Sequence, residues 1–179
     1  MELKGSKTEK NLWEAFAGES QARNKYTFYA SKAKKDGVEE IFAIFEETAN
    51  NEKEHAKIWF KILSGGAVKD TYLNLLEAAA GEKSEYTEMY ARMAREAKKE
   101  GFEKIAELFE GVAKIENEHE KRFLAFAKTL KDGKTFKSEI AVVWKCRNCG
   151  HHHTGTTAPG ICPVCDHPQA FFEIEKVKY

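Results

Sequence analysis

A short phrase, Glu-x-x-His, occurs twice in this chain, at Glu52–His55 and at Glu116–His119. Residues three apart on a helix lie on one face, one turn from each other. Each phrase falls within a heptad-spaced series of apolar residues, so these side chains point toward a partner helix rather than toward water. Burying a carboxylate and an imidazole is costly unless something pairs them. A shared metal centre is the simplest group that could pair all four.

The sequence around the two phrases is also duplicated. Lys-Lys-Asp-Gly at 34–37 matches Lys-Lys-Glu-Gly at 98–101, and Glu-Ala-Phe-Ala-Gly-Glu at 14–19 matches Glu-Ala-Ala-Ala-Gly-Glu at 77–82. Apolar periodicity and glycine stops predict helices over 7–35, 38–63, 81–99 and 102–131. Residues 67–80 form a long connection, with a helical stretch over 71–80 as the alternative. The first two helices are therefore a hairpin that is repeated as the last two.

The spacing between the repeats changes within the third helix. It is 63 residues from Glu19 to Glu82 but 64 from Tyr26 to Tyr90. One extra residue in a helix is most easily absorbed as a π-bulge, and such bulges are frequent at functional sites. We therefore predict a π-bulge between Glu82 and Tyr90.

Six polar residues on the inward stripes form one candidate metal-ligand set. Two helices contribute one Glu each, and the other two contribute a Glu-x-x-His, which is the ligand set of carboxylate-bridged di-metal sites in ferritin-like bundles. Iron and manganese accept such ligands. Any one of these residues alone would more simply be a solvated helix residue. The predicted ligands are Glu19, Glu52, His55, Glu82, Glu116 and His119.

Three further residues accompany this set. Glu85 lies one turn after Glu82, where the first helix has Ala22, so it adds a fifth carboxylate without a counterpart. Tyr26 and Tyr90 occupy matching positions on the inner face. They are either core aromatics whose hydroxyls need some partner, or hydrogen-bond donors to the ligand carboxylates.

All four cysteines lie near the C-terminus, in two Cys-x-x-Cys pairs: Cys146 with Cys149 and Cys162 with Cys165. Four thiolates from two tight turns form a tetrahedral site for iron or zinc, and spacing alone does not decide between them. His151, His152, His153 and His167 are expected at the surface or beside the thiolates rather than as ligands. Short β-type runs indicate a small second domain at 139–179, after a helical domain at 1–134.

Neither the charge nor the hydropathy of the chain favours a nucleic-acid or membrane partner. The 29 acidic and 29 basic residues give zero net charge, so nothing favours nucleic acid or an anionic membrane. The N-terminus lacks the apolar core of a signal peptide, and no run reaches membrane-spanning length. Paired cysteines without a secretion signal indicate a reducing compartment. We therefore expect a cytoplasmic protein.

Together these residues resemble the rubrerythrin family across nearly the whole chain. The resemblance rests on Gly-Glu-Ser-Gln-Ala at 18–22, both Glu-x-x-His phrases, Gly-Glu-x-x-Glu-Tyr at 81–86, Trp-x-Cys-x-x-Cys-Gly at 144–150 and Ala-Pro-Gly-x-Cys-Pro-x-Cys-x-His at 158–167. It implies a mainly α fold: a ferritin-like four-helix bundle with a long crossover connection, followed by a small β-rich rubredoxin-like domain. It also implies a non-haem peroxidase that reduces hydrogen peroxide to water, in defence against oxidative stress.

The resemblance assigns roles and cofactors. It implies two iron ions in the bundle and one iron held by the four cysteines, with zinc as the substitute in recombinant protein. Glu52 and Glu116 would bridge the two irons, and one iron would move between Glu85 and His55 as the redox state changes. Glu19, Glu82 and His119 would be terminal ligands, and the resemblance favours Tyr26 and Tyr90 as hydrogen-bond partners of the ligands.

The same resemblance implies partners. Electrons would come from NAD(P)H through a rubredoxin or a reductase and would enter at the four-cysteine site. The protein would be a homodimer, and in some members of the family helices are exchanged between subunits. Two alternatives are a ferritin-like ferroxidase that handles iron, and an oxygen-activating di-metal enzyme with a structural zinc ribbon.

Overall fold

Four long helical stretches are followed by a small antiparallel sheet in the computed structural model, which describes residues 2–175. This confirms the expected mainly α class with a small β-rich C-terminal part. The chain contacts divide it into two compact units, Met1–Asp70 and Thr71–Tyr179. None of the helices in the described residues has the length and hydropathy needed to cross a membrane. The predicted domain limits at 134 and 139 stay a prediction, and 176–179 lie outside the described residues.

The first unit is a hairpin of α1 (Lys7–Lys35) and α2 (Glu39–Leu63). Ser6 caps α1 by accepting a hydrogen bond from the Glu9 N–H, and acids in the first turns of both helices favour the helix dipoles. The helices meet through small side chains, which let the backbones approach closely. The buried residues of this hairpin are Ala30, Ala33, Ala49 and Ala56.

The second unit begins with a helix that runs as α3 (Thr71–Ser84), a π-helix (Glu85–Met89) and α4 (Tyr90–Lys99), and then returns as α5 (Glu103–Lys131). Alanines again form the buried helix contact. They are Ala79, Ala94, Ala97, Ala106 and Ala127.

The turns of the two hairpins are built alike. Gly37 and Gly101 have φ of 76° and 82°, in the left-handed region that favours glycine. The next residue donates its N–H to an alanine carbonyl five residues back, Val38 to Ala33 at 3.0 Å and Phe102 to Ala97 at 2.9 Å. Both turns follow the Schellman pattern. This identity of detail supports the predicted duplication.

One helix boundary was predicted wrongly. The third helix begins at Thr71, not near 81, so the stretch without regular structure between the hairpins is 64–70. Residues 71–80 are rich in leucine and alanine, which are strong helix formers, and they extend the helix although their apolar pattern is weak. The helical alternative for this stretch was therefore the correct one.

Large apolar side chains of both hairpins are exposed in the single chain. Examples are Ile44 and Ile58 in α2, at 56% and 50%, and Leu108 and Ile115 in α5, at 67% and 53%. Ile41, Ile105, Phe126 and Leu130 belong to the apolar series around the two Glu-x-x-His phrases, which the sequence predicts to face a partner helix, and they are also exposed. The helix contact within each hairpin uses alanines, and these larger side chains project from other faces.

The small domain is a three-stranded antiparallel sheet in the order β2-β1-β3. β1 covers Lys137–Cys146, β2 covers His152–Thr157, and β3 covers Phe172–Ile174 after a 3₁₀ turn at Gln169–Phe171. Trp144 is almost fully buried, and its indole N–H donates to the Gly155 carbonyl at 2.9 Å. The core of this domain consists of Trp144, Cys146, Ala158, Cys162 and Phe172.

Candidate metal centres

The first hairpin brings Glu19, Glu52 and His55 together, and we name them the first carboxylate–histidine group. One potential ligand atom from each residue lies within 4.8 Å of the others. His55 Nδ1 is 2.8 Å from Glu52 Oε2 and 3.8 Å from Glu19 Oε1. The Glu52 side chain is only 16% exposed, whereas that of His55 is 51% exposed. The Glu52 side chain therefore faces inward as expected, whereas the His55 side chain is exposed to solvent in the single chain.

The second hairpin repeats this geometry with Glu82, Glu116 and His119, the second carboxylate–histidine group. His119 Nδ1 is 2.7 Å from Glu116 Oε2 and 3.7 Å from Glu82 Oε2. Each distance agrees with its counterpart in the first group within 0.1 Å. All six residues that the sequence singled out are thus assembled, three in each hairpin.

Carboxylates crowd one another in the second group. The pKa of Glu82 is raised, first because burial penalises its charge and then because Glu116 lies beside it, while His119 acts in the opposite direction. The pKa of the Tyr90 hydroxyl is also raised, by burial and then by the charges of Glu85, Glu116 and Glu82. Like charges held together in this way are the setting in which a divalent cation binds favourably.

Glu85 is the first residue of the π-helix, which confirms the predicted π-bulge between Glu82 and Tyr90. The Tyr90 N–H donates to the Glu85 carbonyl, five residues back. Glu85 is half-buried and does not belong to the second carboxylate–histidine group. Its carboxylate is close enough to contribute to the raised pKa of Glu82 and of Tyr90. The π-helix formed by the extra residue therefore places the Glu85 carboxylate beside the second carboxylate–histidine group.

The two tyrosines differ in their described surroundings. Tyr90 lies against Phe109, with ring centroids 6.1 Å apart, and near the carboxylates of the second group. Tyr26 packs on Phe45 and Tyr29 at 6.1 and 6.3 Å. Tyr90 therefore has the acidic neighbours that a hydrogen-bonding role needs, whereas the contacts of Tyr26 are those of a core aromatic.

The acids that directly precede the two histidines, Glu54 and Glu118, are solvent-exposed. Glu54 and Glu118 pair with Lys57 and Lys121 at 3.1 and 2.7 Å. Both lie about 100° around the helix from the histidine that follows them. Helical geometry thus accounts for the exposure of these two acids and for the lower exposure of Glu52 and Glu116.

The four cysteines converge from two loops of matching design. The Cys146 N–H donates to the His151 carbonyl at 2.8 Å, and the Cys162 N–H donates to the His167 carbonyl at 2.8 Å. Gly150 and Asp166, which follow the second cysteine of each loop, both have positive φ. The sulfurs of Cys146 and Cys165 are 3.8 Å apart, and those of Cys149 and Cys162 are 3.6 Å apart.

These sulfur separations fit a single bound metal. Four sulfurs at about 2.3 Å from a tetrahedral ion would be about 3.8 Å from each other. Cys146 and Cys162 are buried, Cys165 is half-buried, and Cys149 is exposed. Hydrogen bonding from the His167 backbone is the main reason that the pKa of Cys165 is lowered, to about 6. Because Cys146 and Cys162 are buried and Cys149 is exposed, an iron at this site would be enclosed on one side and reach the surface at Cys149.

The histidines of the small domain do not join the thiolates. His152 and His153 begin β2, a strand that the sequence did not predict, and His152 Nε2 lies 3.4 Å from Glu175. His167 hydrogen-bonds the Cys165 carbonyl at 2.9 Å and stacks edge-on against Phe171. Of the described residues, only the four cysteines group as possible ligands in this domain.

One polar pair near the second group was not singled out from the sequence. The Tyr86 hydroxyl donates to Glu120 Oε2 at 2.8 Å, which raises the pKa of Tyr86. The repeat alignment held a signal, because Glu120 takes the place of Ala56 in the first hairpin.

The chain combines two hairpins that bear matching carboxylate–histidine groups with two turns that bring four cysteine sulfurs together. This combination defines an iron-binding redox protein of the di-iron carboxylate class. The rubrerythrin family model matches residues 10–127, and the model of the rubrerythrin rubredoxin-like domain matches residues 144–173. The chain therefore belongs to the rubrerythrin family.

Curated relatives agree with this assignment over almost their full length. The rubrerythrin of Nitratidesulfovibrio vulgaris strain Hildenborough is 53% identical, over 96% of this chain and 96% of that protein. The rubrerythrin of Porphyromonas gingivalis is 50% identical, over 99% and 94%. Rubrerythrin-1 of Clostridium acetobutylicum is 47% identical, over 99% and 98%.

Proposed function

We propose that this protein is a peroxidase that reduces hydrogen peroxide to two molecules of water, taking up two electrons and two protons. Electrons enter at the four-cysteine site, from NAD(P)H through a rubredoxin or a separate reductase. The observation that carries the proposal is the presence in one chain of carboxylate–histidine groups and a four-thiolate site that reaches the surface at Cys149. A ferritin-like storage protein has no use for such an electron inlet.

The two carboxylate–histidine groups are proposed to hold the di-iron centre. Glu52 and Glu116, the most buried carboxylates of each group, would be the ligands that the two irons share. Glu19, Glu82, His55 and His119 complete the set as terminal ligands. Bound iron would supply the electrons that cleave the O–O bond. Carboxylates bridge and neutralise hard cations, so the crowding of Glu82 against Glu116 is relieved when the group is loaded.

Glu85 and Tyr90 are proposed to serve the reaction from beside the second group. Glu85 would offer a further carboxylate to a bound iron, as the alternative to His55 in the other redox state. The Tyr90 hydroxyl is a hydrogen-bond donor, and burial together with three neighbouring carboxylates raises its pKa further above the ordinary tyrosine value. It can therefore donate a hydrogen bond to a ligand carboxylate. The same role for Tyr26, whose described contacts are Phe45 and Tyr29, rests only on its matching position in the repeat.

The electron-inlet assignment is tested by Cys162→Ser in the full-length protein. We expect peroxide turnover with an external donor to fall to the background rate, because a buried thiolate of the inlet is lost. A single reaction of chemically reduced protein with peroxide should persist, since the helical groups are untouched. Stopped-flow absorbance measures both, and the red colour of the ferric four-thiolate site reports its loss.

Thr154→Ala is the matched control, because Thr154 is exposed on β2 and provides no ligand. It should keep the colour and the turnover. Steady turnover in Cys162→Ser, with the colour gone, would show that electrons enter elsewhere. A colourless wild-type protein that contains zinc after anaerobic loading with iron would favour the structural zinc ribbon instead.

We also propose that the protein works as a cytoplasmic homodimer. The exposed isoleucines and leucines of the two hairpins support association, since monomers rarely expose such apolar surface. All four cysteines are free, as a reducing compartment would keep them. Sedimentation equilibrium of the iron-loaded protein tests the dimer, and a monomer at micromolar concentration would contradict it.

A further inference from the structure

A hydrogen bond connects the π-helix to α5 beside the second carboxylate–histidine group. The Tyr86 hydroxyl donates to Glu120 Oε2 at 2.8 Å, and the contact is partly buried. Tyr86 directly follows Glu85, and Glu120 directly follows His119. The bond therefore joins the turn that carries the extra carboxylate to the turn that carries a histidine of the group.

The first hairpin has no counterpart of this bond. Glu120 corresponds to Ala56, which is buried where α1 and α2 meet. Tyr86 corresponds to Arg23 or Ala22, depending on which of the two repeat offsets is used, and α1 is a regular α-helix there. The second hairpin thus has the hydroxyl–carboxylate pair together with the π-helix and Glu85. The first hairpin has neither the π-helix nor a counterpart of Glu85, and other residue types stand at both positions of the pair.

A π-helix is an unfavourable backbone state that requires support from its surroundings. Its hydrogen bonds span five residues instead of four, and isolated turns of this kind occur mainly within α-helices at functional sites. Unfavourable local geometry persists where neighbouring groups hold it in place. A hydrogen bond to an ionised carboxylate is stronger than one between neutral groups, so Glu120 is a suitable support.

We propose that Tyr86 and Glu120 are a positioning pair that anchors the π-helix Glu85–Met89 on α5 and so sets where the Glu85 carboxylate stands. Neither residue binds metal or substrate in this role. The proposal rests on the proposed function of Glu85 as a redox-dependent ligand. It explains why the tyrosine and the acid occur in the second hairpin alone.

Hydrogen exchange of the full-length, iron-loaded, reduced protein tests the anchoring. In Tyr86→Phe and in Glu120→Leu, we expect amides of the π-helix to exchange roughly tenfold to a hundredfold faster, the factor that corresponds to one hydrogen bond to a charged group. Glu120→Gln keeps an acceptor oxygen but loses the charge, so its exchange rates should lie between those of the wild type and those of Glu120→Leu.

Lys98→Met is the control, because Lys98 joins the same helix to α5 through Glu110 at 2.6 Å without touching the π-helix. It should leave exchange in the π-helix unchanged. Unchanged exchange in Tyr86→Phe, or an equal increase in Lys98→Met, would overturn the proposal. This measurement needs no peroxide, so its failure is separate from a failure of the peroxidase function.

A double-mutant cycle tests whether the pair acts through Glu85. Tyr86→Phe should slow the single reaction with peroxide about tenfold in the presence of Glu85, as small misplacements do. It should have no further effect in Glu85→Ala, because the group that it positions is absent. Equal slowing in both backgrounds would overturn the positioning role.

Discussion

Glu85 breaks the symmetry between two otherwise equivalent ligand groups. The distances within the two groups agree within 0.1 Å, so a site built from these six residues alone would treat both metals alike. The first hairpin has Ala22 in the place of Glu85. In the proposed di-iron site, this single unmatched carboxylate would make one metal position different from the other, as a ligand exchange that depends on redox state requires.

Replacing Glu85 with alanine should separate metal binding from redox cycling. We expect both irons to stay bound, because the six ligands of the two groups remain. The oxidation and re-reduction rates should fall about tenfold to a hundredfold, since the variant lacks the carboxylate that is proposed to bind iron in only one redox state. Metal analysis and stopped-flow absorbance measure the two effects.

Glu88→Ala is the matched control for this variant. Glu88 lies in the same π-helix but is exposed, so its loss should change neither iron content nor rate. Unchanged kinetics in Glu85→Ala would remove the basis for a ligand switch.

At the scale of helices and strands, the sequence predicted most of the fold because its signals are local. Glycine turns fixed the ends of α1 and α2 within a residue, and a one-residue change in repeat spacing predicted the π-helix. The start of α3 was missed because its apolar pattern is weak. Strand β2 was missed because its sequence, His-His-Thr-Gly-Thr-Thr, has no apolar alternation, and its pairing with β1 places it in the sheet.

The grouping of these glutamates and histidines was predictable for a related reason. Helical spacing determines which side chains share a face, so the glutamates and histidines could be grouped without knowledge of the packing. The Tyr86–Glu120 contact joins residues 34 positions apart on different helices, and periodicity carries no information about such a contact. The exposure of His55 likewise depends on tertiary packing and not on spacing.

Deleting Thr87 should convert the π-helix into a regular α-helix. Thr87 is exposed, and the helix on either side keeps its own register after one residue is removed. We expect an equal or higher melting temperature, because the unfavourable backbone state is lost, together with a large loss of peroxide turnover. Circular dichroism melting and the steady-state assay measure the two changes.

Thr87→Ala is the control, since it removes the side chain without changing the register. It should keep the activity. Full activity in the deletion variant would mean that the π-helix has no part in the reaction, and a large drop in melting temperature would mean that it is needed for packing.

For the whole molecule, each hairpin provides half of the proposed di-iron ligand set and leaves large apolar side chains exposed in the single chain. A second copy offers the complementary hairpin. Exchange of identical elements between subunits covers such surfaces in both copies at little cost. If the proposed homodimer exchanges hairpins, as the family resemblance implies, the first hairpin of each chain would complete its site with the second hairpin of the other.

Complementation between two inactive variants tests this arrangement. One chain carries Glu52→Ala and the other Glu116→Ala, and differently tagged copies are co-expressed so that the heterodimer can be purified. If hairpins pair between chains, the heterodimer contains one site with both defects and one intact site. We expect about half of the wild-type turnover per dimer, with half of the helical iron, whereas each homodimer of the variants is inactive.

A heterodimer of two Glu52→Ala chains with different tags is the control, because both of its sites lack the same ligand in either arrangement. It should be inactive. An inactive Glu52→Ala/Glu116→Ala heterodimer with intact four-cysteine colour would show that each site is built within one chain. The two defects come together in one site whenever Glu52 and Glu116 of that site belong to different chains, so activity of the heterodimer reports directly on how the hairpins are shared.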